Sequence, residues 1–161
     1  MNPLTNEYVL VSPHRTKRPW NGQQEKPEVG VKPQYDPACY LCPGNTRANG
    51  IQTVDFEHTH VFENDFAAVL PFPIPSNPGE KHPLLKTEAV GGGCDVIIFH
   101  RRHDLTLATV DVDSVERVVE EWTRIYEKRG KQEGVKYVQI FEVCALLMLS
   151  IVSDMIDMKC G

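Results

Sequence analysis

The chain has 161 residues, of which 41% are hydrophobic and 24% charged, and its formal net charge is −5. This composition is typical of a globular domain with a hydrophobic core, and it excludes a disordered or membrane-embedded chain. The negative net charge argues against nucleic acid as a partner.

The first predicted element is a strand over residues 7–12, "EYVLVS", which Pro13 ends. A polar loop follows from about His14 to Pro37, and a connection of that length indicates a functional role. Basic side chains in this N-terminal third have few acidic neighbours, which favours a small anion as ligand. These side chains are Arg15, Lys17, Arg18, Lys26 and Lys32.

Two cysteines, Cys39 and Cys42, form a CxxC pair followed by Pro43 and Gly44. A redox CxxC motif is expected to open a helix after a strand, and a Pro-Gly pair directly after it argues against a helix. The spacing therefore favours two ligands of a zinc ion, with incidental buried thiols as the alternative.

Three further strands are predicted ahead of the long helix, over residues 59–65, 67–72 and 95–100. A Pro-rich surface loop over 71–83 separates the second from the third. The third, "DVIIFH", is short and mostly apolar, which is typical of a strand that is buried on both faces.

One long helix is predicted over residues 113–129, with Asp113 and Glu116 as a capping box and Gly130 as its end. Glu120 and Arg124 are spaced as an i,i+4 ion pair on the exposed side. The apolar residues recur at steps of three and four, which predicts one face packed against a core. They are Val115, Val118, Val119, Trp122, Ile125 and Tyr126.

An alternating strand is predicted over 136–142, and the order of elements indicates an α+β fold with a mainly antiparallel sheet and one long helix. The character of the sequence changes after Glu142. Residues 143–161 lack both turn chemistry and a clean period, so we expect a divergent tail that is helical or poorly ordered and does not join the sheet. The chain is thus divided into a domain over 1–142 and a tail over 143–161.

Five cysteines without regular spacing argue against a disulfide framework, and the N-terminus does not resemble a signal peptide. A cytoplasmic protein is expected. The apolar stretch 143–152 is about half the ~20 residues that a spanning helix needs, so no membrane segment is predicted.

The remaining ligands of a zinc site are left open by spacing alone. His100 and His103 follow the buried strand and are reasonable candidates, whereas His58 and His60 alternate along a strand and are expected to be solvated. A nucleic-acid-binding finger requires about a dozen residues between its cysteine and histidine pairs, and 57 residues lie between Cys42 and His100.

Four blocks of this sequence resemble the galactose-1-phosphate uridylyltransferase family, a branch of the histidine-triad superfamily, in order and at similar spacing. They are "NPLTNEYVLVSPHRTKRPWNGQ" (2–23), "DPACYLCPGNTRANG" (36–50), "HVFENDFAAV" (60–69) and "YVQIFE" (137–142). The resemblance implies a histidine-triad-like, incomplete half-barrel. It also implies uridylyl transfer between UDP-glucose or UDP-galactose and hexose 1-phosphates through a covalent uridylyl-histidine, which suits the nucleophilicity of imidazole.

The resemblance also implies roles for particular residues. Cys39, Cys42 and His103 correspond to zinc ligands, whereas His100 lies where relatives often have a residue that is not a ligand. Because the fourth ligand is missing, His100, close to His103 on the same strand-end turn, is the nearest substitute, with water as the other candidate. The expected substrate-binding residues are two arginines near the UDP-sugar phosphates, an alanine beside the uracil and a pair that contacts the uridine: Arg15, Arg18, Ala48, Asn64 and Asp65.

A family feature is missing from these residues. The family's nucleophilic histidine lies in a His-Pro-His stretch, which occurs nowhere in this sequence, and no histidine follows His103. We therefore expect no catalytic residue and no turnover from the chain alone, which reads as a truncated product. The alternative is a non-catalytic, zinc-stabilised module that binds UDP-sugars or a subunit of the family's homodimer.

Overall fold

The computed structural model describes residues 4–17, 31–71 and 87–141, together with the backbone of two short strands beyond them. The architecture is α+β, as predicted. In chain order the elements are a 3-10 helix at Pro13–Lys17, β1 at His60–Glu63, β2 at Asp95–Ile98, α1 at Val112–Gly130, β3 at Val143–Ala145 and β4 at Met148–Ser150.

Strands β1 and β2 form an antiparallel pair in which His60 lies opposite Ile98 and Phe62 opposite Val96. All four residues of β2 are buried. Because successive side chains of a strand point to opposite faces, a strand buried at every position must be covered on both sides. The apolar run at 95–98 therefore gives the pair two packed faces, as its composition predicted.

One face of the pair carries helix α1. Ile97 of β2 packs with Ile125 of the helix and Val138, and Phe99 packs with Val118. The predicted long helix and its packing on the sheet are confirmed. The apolar stripe is narrower than predicted, because Val119 and Tyr126 are about half exposed.

The opposite face of the pair covers the cysteine loop. Ile98 belongs to a buried cluster with Cys39, Cys42 and Phe56, against which Phe62 packs. The two strands therefore separate the helix from the region that contains both cysteines.

The ends of α1 differ in detail from the prediction. The N-cap is Asp111 rather than Asp113, since the Asp111 carboxylate accepts a hydrogen bond from the Ser114 backbone N–H at 2.7 Å. That hydrogen bond holds the pKa of Asp111 below its usual value. At the exposed side Arg124 pairs with Glu121, one position away from the predicted Glu120, while the helix ends at Gly130 as expected.

A buried ion pair joins the last turn of α1 to the start of β2. Arg129 donates to both carboxylate oxygens of Asp95, at 2.7 and 2.6 Å, and the two side chains are 15% and 11% exposed. Gly93 allows this approach, because a Cβ there would lie 2.5 Å from Arg129 Nη1. The pair fixes the end of the helix against the sheet.

Three predicted strands are not strands among the described residues. Residues 7–12, 67–71 and 136–141 contain no strand, although Leu70 forms an isolated parallel bridge with Gly91. Val138 is buried against Ile97 and Ile125. An alternating pattern needs a neighbouring strand for its backbone as well as a core for its side chains. Among the described residues, the sheet that packs against α1 consists of β1 and β2.

The tail does not form the expected helix over its described part. Strands β3 and β4 pair with each other, with Val143 opposite Ser150, and not with β1 or β2. A segment without a helical period can satisfy its backbone by pairing locally, which accounts for the difference. Residues 151–161 and most of the predicted loop 71–83 lie outside the described residues. Within the described part of the chain, no helix has the length and apolarity to cross a membrane.

Candidate functional site

The CxxC segment folds as two consecutive turns. The backbone N–H of Cys39 donates to the Asp36 carbonyl at 3.1 Å, and that of Cys42 donates to the Cys39 carbonyl at 3.2 Å. The Leu41 N–H points at Cys39 Sγ at 3.4 Å. The cysteine turns are thus held by backbone hydrogen bonds of their own.

His103 completes a group with the two cysteines. Its Nδ1 lies 3.7 Å from Cys42 Sγ, and the three ligand atoms all lie within 4.8 Å of one another. Ligands at tetrahedral zinc, bound at about 2.3 Å (S) and 2.1 Å (N), are about 3.6 Å apart. The backbone N–H of His103 donates to the Gln34 carbonyl, so the two ends of the group share one scaffold. The donor set and its spacing fit a metal ion.

Burial disfavours the charged form of Cys42. Both cysteines are 4% exposed, and loss of hydration, with Cys39 nearby as a smaller cause, raises the pKa of Cys42 to about 11. A bound cation replaces the thiol proton and offsets the cost of burying a thiolate. The sulfur pair is therefore suited to holding a metal.

Other histidines do not join this group. His100, expected as the substitute ligand, accepts a hydrogen bond at Nδ1 from the Arg102 backbone N–H at 3.0 Å. Among the described residues, no fourth His, Cys, Asp or Glu belongs to the cluster. His58 is exposed as predicted, whereas His60 is partly buried between Phe56 and Phe62 at ring distances of 5.1 and 5.9 Å. The expectation of a solvated His60 was wrong, because its strand face covers the cysteine cluster.

A hairpin-like loop directly follows the cysteine segment in the chain. Asn45 Nδ2 donates to the carbonyls of Asp36 and Cys39, at 2.9 and 2.7 Å, and Thr46 bridges to Gln52. The turn at its tip requires Gly50, whose φ is +85°. Ala48 is exposed at this tip, so the predicted uracil-contacting residue lies on a loop that is hydrogen-bonded to the metal-ligand segment.

The predicted uridine-contacting pair lies beside that tip. Asn49 Nδ2 donates to Asp65 Oδ1 at 2.6 Å. Asn64 Oδ1 accepts from the Phe66 N–H, and the Asn64 N–H donates to the Cys94 carbonyl. The structure therefore brings Ala48 and the Asn64–Asp65 pair together, although 16 residues separate Asn49 from Asp65.

The 3-10 helix carries Arg15 to the same region. His14 Nε2 lies 2.7 Å from the Ala67 carbonyl oxygen, and the Ser12 hydroxyl donates to the Ala68 carbonyl. Both acceptors follow Asp65 closely in the chain. Arg15 itself is half-buried, and the second predicted arginine, Arg18, lies outside the described residues.

Sequence reasoning did not identify Arg47. Its guanidinium carbon lies 4.1 Å from the centre of the Phe62 ring, and its Nη2 lies 3.8 Å from Asp65 Oδ1. Arg47 stands in a polar turn, "NTRANG", where charged side chains are usually solvated. Only its position next to Ala48 could have drawn attention to it.

A separate cavity of about 420 Å³ lies beside the cysteine segment. Its two guanidinium groups are already neutralised, since Arg101 pairs with Asp55 at 3.3 Å and Arg102 with Asp104 at 2.5 Å. It is therefore a weaker candidate for a phosphate group. Its lining residues are Gln34, Tyr35, Pro43, Gly44, Asp55, Arg101 and Arg102.

Comparisons with known proteins agree with the sequence resemblance. Residues 1–143 match the family model described as "Galactose-1-phosphate uridyl transferase, N-terminal domain". The chain is 46% identical over 147 residues to a galactose-1-phosphate uridylyltransferase of Cryptococcus neoformans, which covers 88% of this chain and 39% of the relative. A Saccharomyces cerevisiae relative of the same name is 45% identical, with 88% and 42% covered.

A solved structure titled "Structure of uridylyltransferase" matches 94% of this chain and 41% of its own, with a TM-score of 0.62 and 20% sequence identity. This likeness supports the fold alone. The chain spans about two fifths of the length of the curated relatives it matches. With a family model that covers nearly all of its described residues, the chain belongs to the galactose-1-phosphate uridylyltransferase family, whose N-terminal domain it matches.

Proposed function

We propose that these residues form the zinc-stabilised, UDP-sugar-binding part of an enzyme that transfers uridylyl between UDP-glucose and galactose 1-phosphate. One observation supports this most strongly. Hydrogen bonds from Asn49 to Asp65, and from the Ser12–His14 segment to Ala67 and Ala68, draw three distant segments together. Each of these segments contains a residue that the resemblance assigns to the UDP-sugar.

The chemistry of the gathered residues suits the parts of such a ligand. An arginine at position 15, with Arg18 as its predicted companion, supplies charge-assisted hydrogen bonds to a diphosphate. An ionised Asp65 only accepts hydrogen bonds, so it pairs with a hydroxyl or an N–H of the uridine. The small, exposed Ala48 leaves room for a planar base beside the loop.

Zinc is the metal we assign to Cys39, Cys42 and His103. Two sulfurs and one imidazole nitrogen are ligands that zinc prefers, and the 3.7 Å between Cys42 Sγ and His103 Nδ1 is close to the separation of two ligands at tetrahedral zinc. The ion's contribution there is structural, because it ties the segment at 34–42 to the loop after β2. Reduced cysteines at such a site also fit a cytoplasmic location.

Turnover by these 161 residues alone is not expected. Covalent transfer needs a nucleophile, and the sequence contains no histidine after His103. We expect the chain to bind a UDP-sugar without transferring its uridylyl group. The alternative, a non-catalytic binding module, predicts the same behaviour. A subunit-binding role is separated from both by adding a full-length relative and measuring its dimerisation and activity.

Isothermal titration of the zinc-loaded protein with UDP-glucose tests the proposal, with a coupled assay for UDP-galactose formation run in parallel. We expect one binding site per chain and no transfer to galactose 1-phosphate. An Asp65→Asn variant should bind more weakly, while an Asp113→Ala variant, which removes an exposed carboxylate of α1, serves as the matched control. A folded, zinc-loaded protein that binds no UDP-glucose contradicts the proposed site, and transfer at a rate near that of a full-length enzyme contradicts the expected inactivity.

A further inference from the structure

Arg47 is a buried cation with little direct compensation. Its side chain is 9% exposed, and that of Asp65 is 8% exposed. The Arg47 Nη2 to Asp65 Oδ1 distance of 3.8 Å is within ion-pair range but too long for a hydrogen bond. The Nε and Nη1 atoms of Arg47 are buried without a hydrogen-bond partner among the described residues.

Stability does not account for this arrangement. Buried guanidinium donors without acceptors destabilise a fold, and an apolar side chain of similar size often replaces a buried charge without loss. The guanidinium lies over the face of Phe62, at 4.1 Å from the ring centre, which attracts the cation but gives its two buried donors no hydrogen-bond partner. The charge of Arg47 therefore serves something other than packing.

The charge is directed at one oxygen of Asp65. Asn49 donates to Oδ1 at 2.6 Å, and the nearest guanidinium nitrogen of Arg47 approaches the same oxygen. No described residue donates a hydrogen bond to Oδ2. With one oxygen held on the protein side, the carboxylate can rotate little, and its second oxygen is the one left for a ligand.

We propose that Arg47 is a positioning residue for ligand binding: with Asn49 it holds Oδ1 of Asp65, so that Oδ2 accepts a hydrogen bond from a donor of the bound uridine nucleotide. This inference rests on the proposed function, since it assumes that Asp65 contacts the nucleotide. Arg47 acts through Asp65 in this proposal: its Nε and Nη1 are buried without a partner, and its Nη2 is the nitrogen that faces Asp65 Oδ1.

A double-mutant cycle on UDP affinity tests this. The variants are Arg47→Met, Asp65→Asn, the double variant and Arg47→Lys, with Arg101→Met as a matched control that removes an exposed guanidinium paired with Asp55. For each we measure the dissociation constant of UDP by titration, the binding stoichiometry, the metal content and the Tm.

We expect Arg47→Met to weaken UDP binding about tenfold or more, with full stoichiometry and with a Tm equal to or above that of the wild type. Arg47→Lys, which keeps the charge but not the planar fork, should restore part of the affinity. In the Asp65→Asn background, Arg47→Met should change affinity by less than about twofold, because coupled residues do not act additively. Arg101→Met should bind UDP as the wild type does.

Three results overturn the inference. Wild-type affinity in Arg47→Met removes any role for the residue in binding. An equal loss of affinity in both backgrounds shows that Arg47 acts independently of Asp65. A fall in Tm and stoichiometry without a change in the dissociation constant shows a structural role. If Asp65→Asn itself binds UDP as tightly as the wild type, the proposed uridine site fails, and this outcome is distinct from the other three.

Discussion

The metal-ligand cluster and the proposed nucleotide site lie side by side but are built differently. Two of the three metal ligands come from four consecutive residues, and both are buried in a core cluster. The nucleotide site is drawn from three segments centred on Arg15, Ala48 and Asp65, which side-chain hydrogen bonds hold together. A compact turn specifies the first site, whereas the second depends on the completed fold.

The two sites share one side chain. Phe62 packs against the cysteine cluster, and the Arg47 guanidinium lies over the face of the Phe62 ring. Disruption of the metal cluster should therefore affect the nucleotide site, but changes confined to the nucleotide site should leave the metal cluster intact. The following substitutions test the metal cluster first and then the packing that surrounds it.

The largest effect is expected from Cys42→Ser. Loss of one thiolate ligand removes most of the metal affinity, and since metal binding at such a site is coupled to folding, stability should fall by more than about 4 kcal/mol. Metal analysis after dialysis and denaturant unfolding measure the two quantities. Cys94→Ala is the control, because Cys94 is fully buried yet lies outside the metal group. Equal metal retention by Cys42→Ser and the control is incompatible with the assigned ligands.

A smaller but still large effect is expected from Arg129→Met on the helix side of the sheet. Leaving the Asp95 carboxylate without its partner should cost about 2–4 kcal/mol, because both side chains are mostly buried. Metal content should not change, since β1 and β2 separate this pair from the cysteines. Lys131→Met, which removes an exposed pair with Glu127, should have no measurable effect on stability. Metal loss in Arg129→Met would show that the two faces are not independent.

The pH dependence of stability should be reduced in His60→Phe. Burial, with Arg47 as the second cause, lowers the pKa of His60 below its usual value of about 6.5. The unfolded chain therefore binds a proton at a higher pH than the folded one, and stability falls as pH drops below about 6.5. Phenylalanine keeps the stack with Phe56 and Phe62 but cannot be protonated. Unfolding free energies at pH 7 and pH 5 should differ less in the variant, and an undiminished difference would assign the effect to other groups.

The smallest effect is expected at the start of α1. Asp111→Ala removes the side chain that caps the helix, so Tm should fall by a few degrees, whereas Asp113→Ala should leave it nearly unchanged. The pKa of Asp111 is lower in the folded chain than in the unfolded one. Its contribution to the free energy of unfolding is therefore complete above the unfolded-state pKa, and it is lost as pH falls through the folded-state pKa. Equal Tm values for the two variants at pH 7 would contradict the assignment of Asp111, and not Asp113, as the N-cap.

The elements that sequence predicted best are those whose signal is local. The helix needed only the periodicity around Val118 and Ile125, and β2 needed only an apolar run that the core buries on both faces. Residues 7–12 and 136–141 have equally plausible strand patterns. They do not form strands in the described part of the chain, because pairing depends on a partner that a pattern cannot specify.

The same distinction applies to the site residues. Spacing alone indicated Cys39 and Cys42, but the choice of His103 over His100 depended on family resemblance, since both follow the same strand. The structure separates them by directing His100 Nδ1 to a backbone N–H. Arg47 and Asn49 could not be recognised in advance, because their importance comes from the contact with Asp65 across the fold.

Photolabelling with 5-azido-UDP-glucose, followed by identification of the labelled peptides, tests the central claim most directly. The account predicts that label is incorporated into the loop around Ala48 and into the segment around Asp65, and that excess UDP prevents it. Label confined to the cavity lined by Tyr35, Arg101 and Arg102 would contradict the account, because the nucleotide would then bind beside the cysteine segment and not where the three segments meet.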